Sequence, residues 1–233
     1  MPQPNCRVAG ITFDLDDTLY DNRPVVERAE QALHEWLVAH YPRLGSRFDI
    51  PALRELRLDI LRRNADLRHD LTAIRKLSLA AAARQVGYSP ELAEEGFAVF
   101  LEARNQVELF DDVLPALQGL RRRYTVGALT NGNADVERLG LGELFDFTVC
   151  AVDVGAAKPQ PQMFLEAARR VGTTPERLVH VGDDPVRDVA GGAAAGLRTV
   201  WVNRLGADWP GGPPPDAEVR SLEELAELLE VMG

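Results

Sequence analysis

The stretch ITFDLDDTLYD, residues 11–21, joins a short apolar run to four aspartates, Asp14, Asp16, Asp17 and Asp21. With the residues before it, VAGITF (Val8–Phe13) reads as a short β-strand, and the acidic cluster follows it directly. Like charges this close raise one another's pKa and destabilise the fold unless a cation or a buried partner offsets them. A strand ending in such a cluster asks for a compensating charge elsewhere in the chain.

Downstream of the cluster the pattern turns helical. Val26, Ala29, Leu33, Trp36 and Leu37 fall at helical spacing, as do Ala93, Phe97, Phe100 and Leu101. DIPALRELRLDILRRN (49–64), with Pro51 in its first turn, and LTAIRKLSLAAAARQV (71–86) predict two further helices. Gly87 and Ser89-Pro90 supply a stop and a start. Residues 20–108 therefore predict a bundle of about four helices.

Beyond the bundle, strand and helix alternate. Helix is predicted for VLPALQGLRRR (113–123), ADVERLG (134–140), PQMFLEAARRV (161–171) and PVRDVAGGAAAG (185–196). Strand is predicted for YTVGALT (124–130), FTVCAVD (147–153), RLVHVGD (177–183) and RTVWVN (198–203). Gly206–Ala217 reads as a Pro/Gly-rich loop, and Ser221 as the cap of a last helix ending near Met232. This interval implies an α/β fold, a doubly wound parallel sheet with helices on both faces. The first strand belongs to that sheet. The expected domains are a Rossmann-like core, residues 1–19 and 109–233, and a helical domain, residues 20–108, inserted after strand one.

Composition narrows the function. Across 233 residues, 45% are hydrophobic, enough for a sizeable core. A formal net charge of −10 argues against a nucleic-acid partner, whose phosphates need Lys and Arg. No segment reaches the ~18–20 apolar residues of a membrane span, and MPQPNCRVAG lacks a signal-peptide core. Cys6 and Cys150 show no metal-type spacing, and Cys150 reads as a buried strand residue. A cytoplasmic protein in a reduced compartment is the expectation.

The polar residues sit where predicted strands end: Asp14 after the first, Thr130 in LTNGN, and Asp183 and Asp184 in HVGDD. In an open parallel sheet the carboxyl ends of the strands form the ligand crevice, so these positions meet in space. Lys158, in GAAKPQP, reaches the same edge; the chain has only one other lysine, Lys76. Two carboxylates with a backbone carbonyl suit a hard cation such as Mg²⁺. Thr130 and Lys158 add a hydroxyl and a fixed positive charge that can cradle a phosphoryl group. Taken alone, Thr130 before Asn-Gly is more often turn chemistry; within this set of residues the order reverses. His180 reads as a packed core residue of its strand, Asp17 as support for the turn, and Asp21 as the exit into the bundle.

DLDDT (Asp14–Thr18), Thr130, Lys158-Pro159 and GDDPVRD (Gly182–Asp188) resemble, in order, the four motifs of the haloacid dehalogenase-like superfamily. The match covers nearly the whole chain, and the helical insertion is similar to that family's first-type cap. ITFDLDDTLYDNRPVV, TNGNADVERLGLGELFDF and HVGDD are further similar to bacterial phosphatases of riboflavin metabolism.

The resemblance implies a Mg²⁺-dependent phosphomonoesterase acting on a small phosphorylated metabolite such as FMN or 5-amino-6-(5-phospho-D-ribitylamino)uracil. It implies that Asp14 is the nucleophile and that Asp16 handles the proton while its main-chain carbonyl binds the metal. An Asp rather than an uncharged residue at position 16 favours phosphate esters over dehalogenation. Thr130, the amide of Asn131 and Lys158 would hold the phosphoryl group, and Asp183 would bind the metal. Asp184 would reach a metal-bound water; Asp188 would either orient Lys158 or lie on a helix surface. Asn22, Arg23 and Arg75 are candidates for substrate contact from the insertion. A nucleotidase or a sugar-phosphate phosphatase or mutase is the alternative within the superfamily. A receiver-like signalling module is the alternative outside it, disfavoured by the insertion and by Asp16.

Overall fold

A computed structural model describes residues 8–232. Cys6 and most of the N-terminal stretch considered for a signal peptide lie outside them. Two compact units are present: one runs to Asp21 and resumes at Glu108, and the other is Asn22–Val107.

The first unit is built on β1 (Gly10–Phe13), β2 (Thr125–Thr130), β3 (Phe147–Cys150), β4 (Leu178–Gly182), β5 (Arg198–Val202) and β6 (Ala217–Val219). Their order is β3-β2-β1-β4-β5-β6, and every pairing is parallel. β1 is therefore internal, flanked by β2 and β4, and all four of its residues are buried. Burial on both faces is why β1 reads as an apolar run broken only by Thr12. The order reverses beside β1, and in open parallel sheets the ligand crevice lies outside the strand ends at such a switch point.

Helices α6 (Val113–Arg121), α7 (Ala151–Val154), α8 (Gln162–Val171), α9 (Gly191–Ala194) and α10 (Glu223–Met232) accompany the sheet; their numbering follows the five helices of the other unit. α8 buries Met163, Phe164, Ala167 and Ala168 against Leu129, Val149, Leu178 and Leu197. The segment before α9, Pro185–Ala190, is a π-helical turn rather than the start of a regular α-helix.

Three local expectations are corrected. ADVERLG forms no regular helix: it makes turns that close with Leu139 N donating to Asp135 O and stop at Gly140, whose φ of +72° only glycine adopts cheaply. FTVCAVD is a strand only to Cys150; Ala151–Val154 turns helical, with Asp153 accepting from the Cys150 amide at 2.9 Å. The Pro/Gly-rich loop ends in a strand, since Asp216 exchanges bonds with Thr199 and brings Ala217–Val219 alongside β5. Three residues after a proline run carry too little alternation to announce a strand.

The second unit contains α1 (Asn22–His40), α2 (Pro42–Arg47), α3 (Ile50–Arg63), α4 (Leu71–Gln85) and α5 (Leu92–Arg104). Asp49 and Asp70 cap α3 and α4 by accepting from amides three residues on, each at 2.8 Å. Ala29, Leu33, Leu37, Leu79, Leu92, Phe97 and Phe100 share its core. Val25 is buried on α1 whereas Val26 is only half-buried, so the apolar stripe begins one residue earlier than the spacing indicated. No helix among the described residues is long and apolar enough to cross a membrane.

The loop after β1 is anchored from across the sheet. Tyr20 bridges Leu109, and the Phe110 amide donates to Leu19 O at 3.0 Å, so the chain leaves and re-enters this unit side by side. Arg204 donates to Thr18 O and forks onto Asp112 at 3.0 and 3.1 Å; Asp112 also accepts from the Leu222 amide at 2.6 Å. Removing one partner of a buried pair strands the other charge. Asp112→Ala should lower unfolding free energy by about 3–5 kcal/mol in urea melts. A change under about 1 kcal/mol would show that the anchor contributes little.

Candidate active site

The site grows from the end of β1. The Asp14 amide still donates to Val181 O of β4 at 2.9 Å, so the pairing continues one residue past the strand and fixes the Asp14 backbone. The chain then turns at Asp17, whose φ of +63° is a conformation that Asp tolerates better than most residues. Thr18 is buried and donates to Asp183 Oδ1 at 3.2 Å, tying the β1 loop to the end of β4. Tyr20, also buried, donates its hydroxyl to Asp16 Oδ1 at 2.7 Å.

Lys158 is the hub. Its side chain is 1% exposed, and Nζ lies 2.7 Å from Asp14 Oδ1, 2.7 Å from Asp188 Oδ1 and 2.9 Å from Leu129 O. An ammonium has three protons, and three acceptors surround this one. Burial pulls the Lys158 pKa down, but the carboxylates of Asp14 and Asp188 outweigh it and hold the amine charged, above the ordinary value. Asn131 steadies the loop beneath: its side-chain amide accepts from Lys158 N at 2.8 Å and donates to Lys158 O at 2.9 Å. Thr130, buried at the end of β2, accepts from the Gly132 amide at 3.0 Å.

Asp188 is buried rather than on a helix surface. Its Oδ1 also lies 3.1 Å from His180 Nε2, and its Oδ2 accepts from the Asp184 amide at 3.0 Å. Burial alone would raise the Asp188 pKa; Lys158 and His180 more than reverse that and hold it well below the carboxylate range. Gly182 makes this possible, because a Cβ there would come within 2.3 Å of Asp188 Cγ. Asp184 uses Oδ1 to cap the π-helical turn, accepting from the Val186 and Arg187 amides at 2.8 Å each.

Asp14, Asp183 and Asp188 bring carboxylate oxygens within 4.8 Å of one another. Asp188 spends three of its roughly four acceptor positions on Lys158, His180 and the Asp184 amide. Asp14 and Asp183 are left as the pair that suits a cation. Burial raises the Asp14 pKa well above its ordinary value, against the pull of Lys158. Asp183 is pushed up to about 7 by burial, Asp188 and Asp17, against the Thr18 hydrogen bond. An under-compensated carboxylate pair made of hard oxygen donors fits Mg²⁺.

Cys150 is half-buried, and burial together with Asp153 and Asp135 raises its thiol pKa to about 11, which leaves it unreactive. Asn22, Arg23 and Arg75 belong to the helical unit. Asn22 is the first residue of α1; Arg23 is exposed and pairs with Glu27 at 3.2 Å. Arg75 is largely buried, lies 3.5 Å above the Phe100 ring and sits 3.8 Å from the buried Glu30. Glu30 also holds Arg54 at 2.5 Å and Arg57 at 3.1 Å. Sequence reasoning did not single out Thr18, Tyr20 or Arg204. The first two stand within the opening motif, but their partners lie beyond it or on a turn whose shape the sequence leaves open.

Residues 8–196 match the family model of haloacid dehalogenase-like hydrolases. The chain belongs to that family. It is 32% identical to the 5-amino-6-(5-phospho-D-ribitylamino)uracil phosphatase YigB of Escherichia coli, over 97% of this chain and 98% of that one. Over 48% of this chain and 53% of the other, it is 37% identical to the E. coli pyrimidine 5'-nucleotidase YjjG. Among solved structures, a 2-haloacid dehalogenase from Pseudomonas syringae superimposes with a TM-score of 0.92 at 42% identity, covering 97% of this chain and 100% of that one. Membership makes this chain a hydrolase with phosphatases among its relatives, and it removes the receiver-like alternative.

The Asp183 carboxyl yields a stability test. Its folded pKa of about 7 exceeds the ordinary 3.8, so between these values the folded protein holds a proton that the unfolded chain has lost. The stabilisation is present on the acid side and disappears as pH rises through about 7. In chelator, Asp183→Asn should therefore melt higher than the parent at pH 8, by up to about 4 kcal/mol as an upper bound for a half-buried group. The gap should narrow as pH falls from 7 and close only below the ordinary carboxyl value of 3.8. Equal melting at pH 8 and at pH 5 would contradict the electrostatic account.

Proposed function

We propose that this protein is a phosphomonoesterase that works through an aspartyl-phosphate on Asp14. The observation that carries the reading is Asp16, held two residues beyond Asp14 by the Tyr20 hydroxyl at 2.7 Å. An ester of an alcohol needs a proton on its leaving oxygen, and a positioned carboxyl supplies one; a halide needs none.

In the proposed reaction Asp14 Oδ2 attacks phosphorus in line, because Oδ1 is engaged by Lys158. The bond from phosphorus to the alcohol oxygen breaks, and Asp16 gives that oxygen its proton. Asp16 then takes a proton from water as the water oxygen attacks phosphorus. The bond to Asp14 breaks, releasing inorganic phosphate and restoring the carboxylate. Lys158 keeps its charge throughout, offsetting that of Asp14 and of the phosphoryl oxygens. Thr130 and the Asn131 amide complete the phosphoryl cradle in this scheme. Asp14, Asp183 and the main-chain carbonyl of Asp16 would hold Mg²⁺, which supplies positive charge for the ionised nucleophile and the phosphoryl group. Asp184 and Asp188 act from behind these groups. The helical unit serves as the cap that excludes bulk water and selects the leaving group, with Asn22, Arg23 and Arg75 as its candidate substrate contacts.

A small phosphorylated metabolite is the substrate class that these features support. Full-length similarity to the E. coli enzyme favours 5-amino-6-(5-phospho-D-ribitylamino)uracil, beside which the motif resemblance puts FMN; partial similarity to the nucleotidase keeps nucleotides in view. The second reading, dehalogenation, draws on the P. syringae structure at 42% identity. A panel of FMN, the ribitylaminouracil phosphate, nucleotides, sugar phosphates and 2-haloacids separates them. Phosphate release dependent on Mg²⁺, with no halide release, is expected; halide release without phosphate release would reverse the assignment. Asp14→Asn should lower turnover by on the order of a thousandfold or more while circular dichroism stays unchanged.

Tyr20→Phe tests the proton donor separately. It should lower kcat/KM, which reports the step through alcohol release, about tenfold on alkyl phosphates and leave that of p-nitrophenyl phosphate, whose leaving group needs no proton, nearly untouched. Equal losses on both esters would assign Tyr20 to the fold and not to Asp16.

A further inference from the structure

We propose that His180 is a positioning residue: held between Thr12 and Asp188 as the tautomer protonated on Nε2, it donates to Asp188 and so holds the carboxylate that seats Lys158 against Asp14. His180 Nε2 lies 3.1 Å from Asp188 Oδ1, and its Nδ1 lies 2.8 Å from Thr12 Oγ1. All three residues are buried.

The proton positions follow from donor and acceptor capacity. Asp188, ionised beside Lys158, can only accept, so His180 Nε2 must carry a hydrogen. Burial lowers the His180 pKa despite the opposing bond to Asp188, so the ring is neutral near pH 7. Nδ1 is then an acceptor, and the Thr12 hydroxyl must donate to it. The path runs Thr12 to His180 to Asp188, with Lys158 donating into Asp188 from the other side.

The fold holds this path rigid. Thr12 and His180 are register partners on adjacent strands β1 and β4, so their side chains stand on one face of the sheet. Phe164 packs edge-on to the imidazole at 5.1 Å and 81°. Gly192 lies close by, where a Cβ would be 3.7 Å from His180 Cβ. A histidine kept only for packing would leave its ring nitrogens to water or to backbone. Here Nε2 is committed to Asp188, which holds Lys158, and Nδ1 faces the Thr12 hydroxyl. Without the Nε2 donor, Asp188 would retain Lys158 and the Asp184 amide but lose the bond that fixes its orientation from the β4 side.

The chain offers a direct readout because it has only two lysines and four histidines. In nitrogen-15 spectra near pH 7, His180 should show the Nε2–H tautomer, and the Lys158 ammonium should give a signal protected from exchange. His180→Phe should abolish or broaden the Lys158 signal. His180→Gln, whose side-chain amide can replace the Nε2 donor, should restore it. Should His180→Phe fail to fold, the isosteric Thr12→Val variant carries the test: Nδ1 loses its donor and the ring its second anchor, so the Lys158 signal should weaken while His180 keeps the Nε2–H tautomer that Asp188 imposes.

The kinetic arm rests on the phosphatase reading; the spectral arm does not. On p-nitrophenyl phosphate with Mg²⁺, His180→Phe should lower kcat about 10- to 100-fold, with most activity regained in His180→Gln. In an Asp188→Asn background the same substitution should add less than about twofold, because His180 acts through Asp188. An Nδ1–H or charged His180, an unchanged Lys158 signal in the Phe variant, or additive losses in the double variant would each overturn the proposal. If the wild type releases no phosphate, the function fails, and the spectra alone decide the positioning role.

Discussion

The ammonium of Lys158 is the interaction on which the site depends. Removing a cation this far from water costs several kcal/mol unless charges and hydrogen bonds offset it. Asp14, Asp188 and Leu129 O do so with one acceptor for each proton. Those acceptors come from the loop after β1, from the segment after β4 and from β2 itself. Meeting them holds three sequence-distant segments in register at the carboxyl edge of the sheet. Glycines make the approach possible: Gly182 leaves room for Asp188, and a Cβ at Gly191 would lie 2.8 Å from Pro159 Cα, beside Lys158.

One cation does not balance the carboxylates around it. Lys158 engages Asp14 and Asp188, while Asp183 keeps a pKa near 7 against an ordinary 3.8. The residue left under-compensated lies in the group whose oxygens converge. The acidic cluster that opens the chain thus divides by environment. Asp14 faces Lys158, Asp16 is held by Tyr20, and Asp17 turns the backbone while its charge helps raise Asp183. A site assembled this way tolerates its own repulsion only while a positive charge stays within reach, which is the physical reason to expect a divalent cation there.

Much of the architecture was legible in the sequence because it rests on period and on position along each strand. The β1 run, the strand-helix alternation and the gathering of polar residues at strand ends follow from parallel-sheet geometry. What escaped depends on partners far away in sequence. β6 exists because Asp216 bonds Thr199, which no local pattern among prolines and glycines announces. ADVERLG carries helical residues but stops after its turns at Gly140. His180 is buried in its strand, as its surroundings predicted, yet both ring nitrogens are engaged by side chains from β1 and from the segment after β4. Burial can be read from periodicity; hydrogen-bond partners across strands cannot. In the helical unit, the arginines around Glu30 show the same limit, since α1, α3 and α4 contribute to a cluster that no single helix reveals.

In the proposed reaction Asp14 forms a covalent phosphoryl intermediate whose breakdown depends on Asp16. Acid-quenching Asp16→Asn during turnover of p-nitrophenyl phosphate, followed by peptide mapping, tests it most directly. A good leaving group lets the first step proceed without an acid, whereas the second step lacks its base, so the phosphoryl group should accumulate on the peptide containing Asp14. Steady phosphate release with the phosphoryl group on another residue, or on none, would contradict the account.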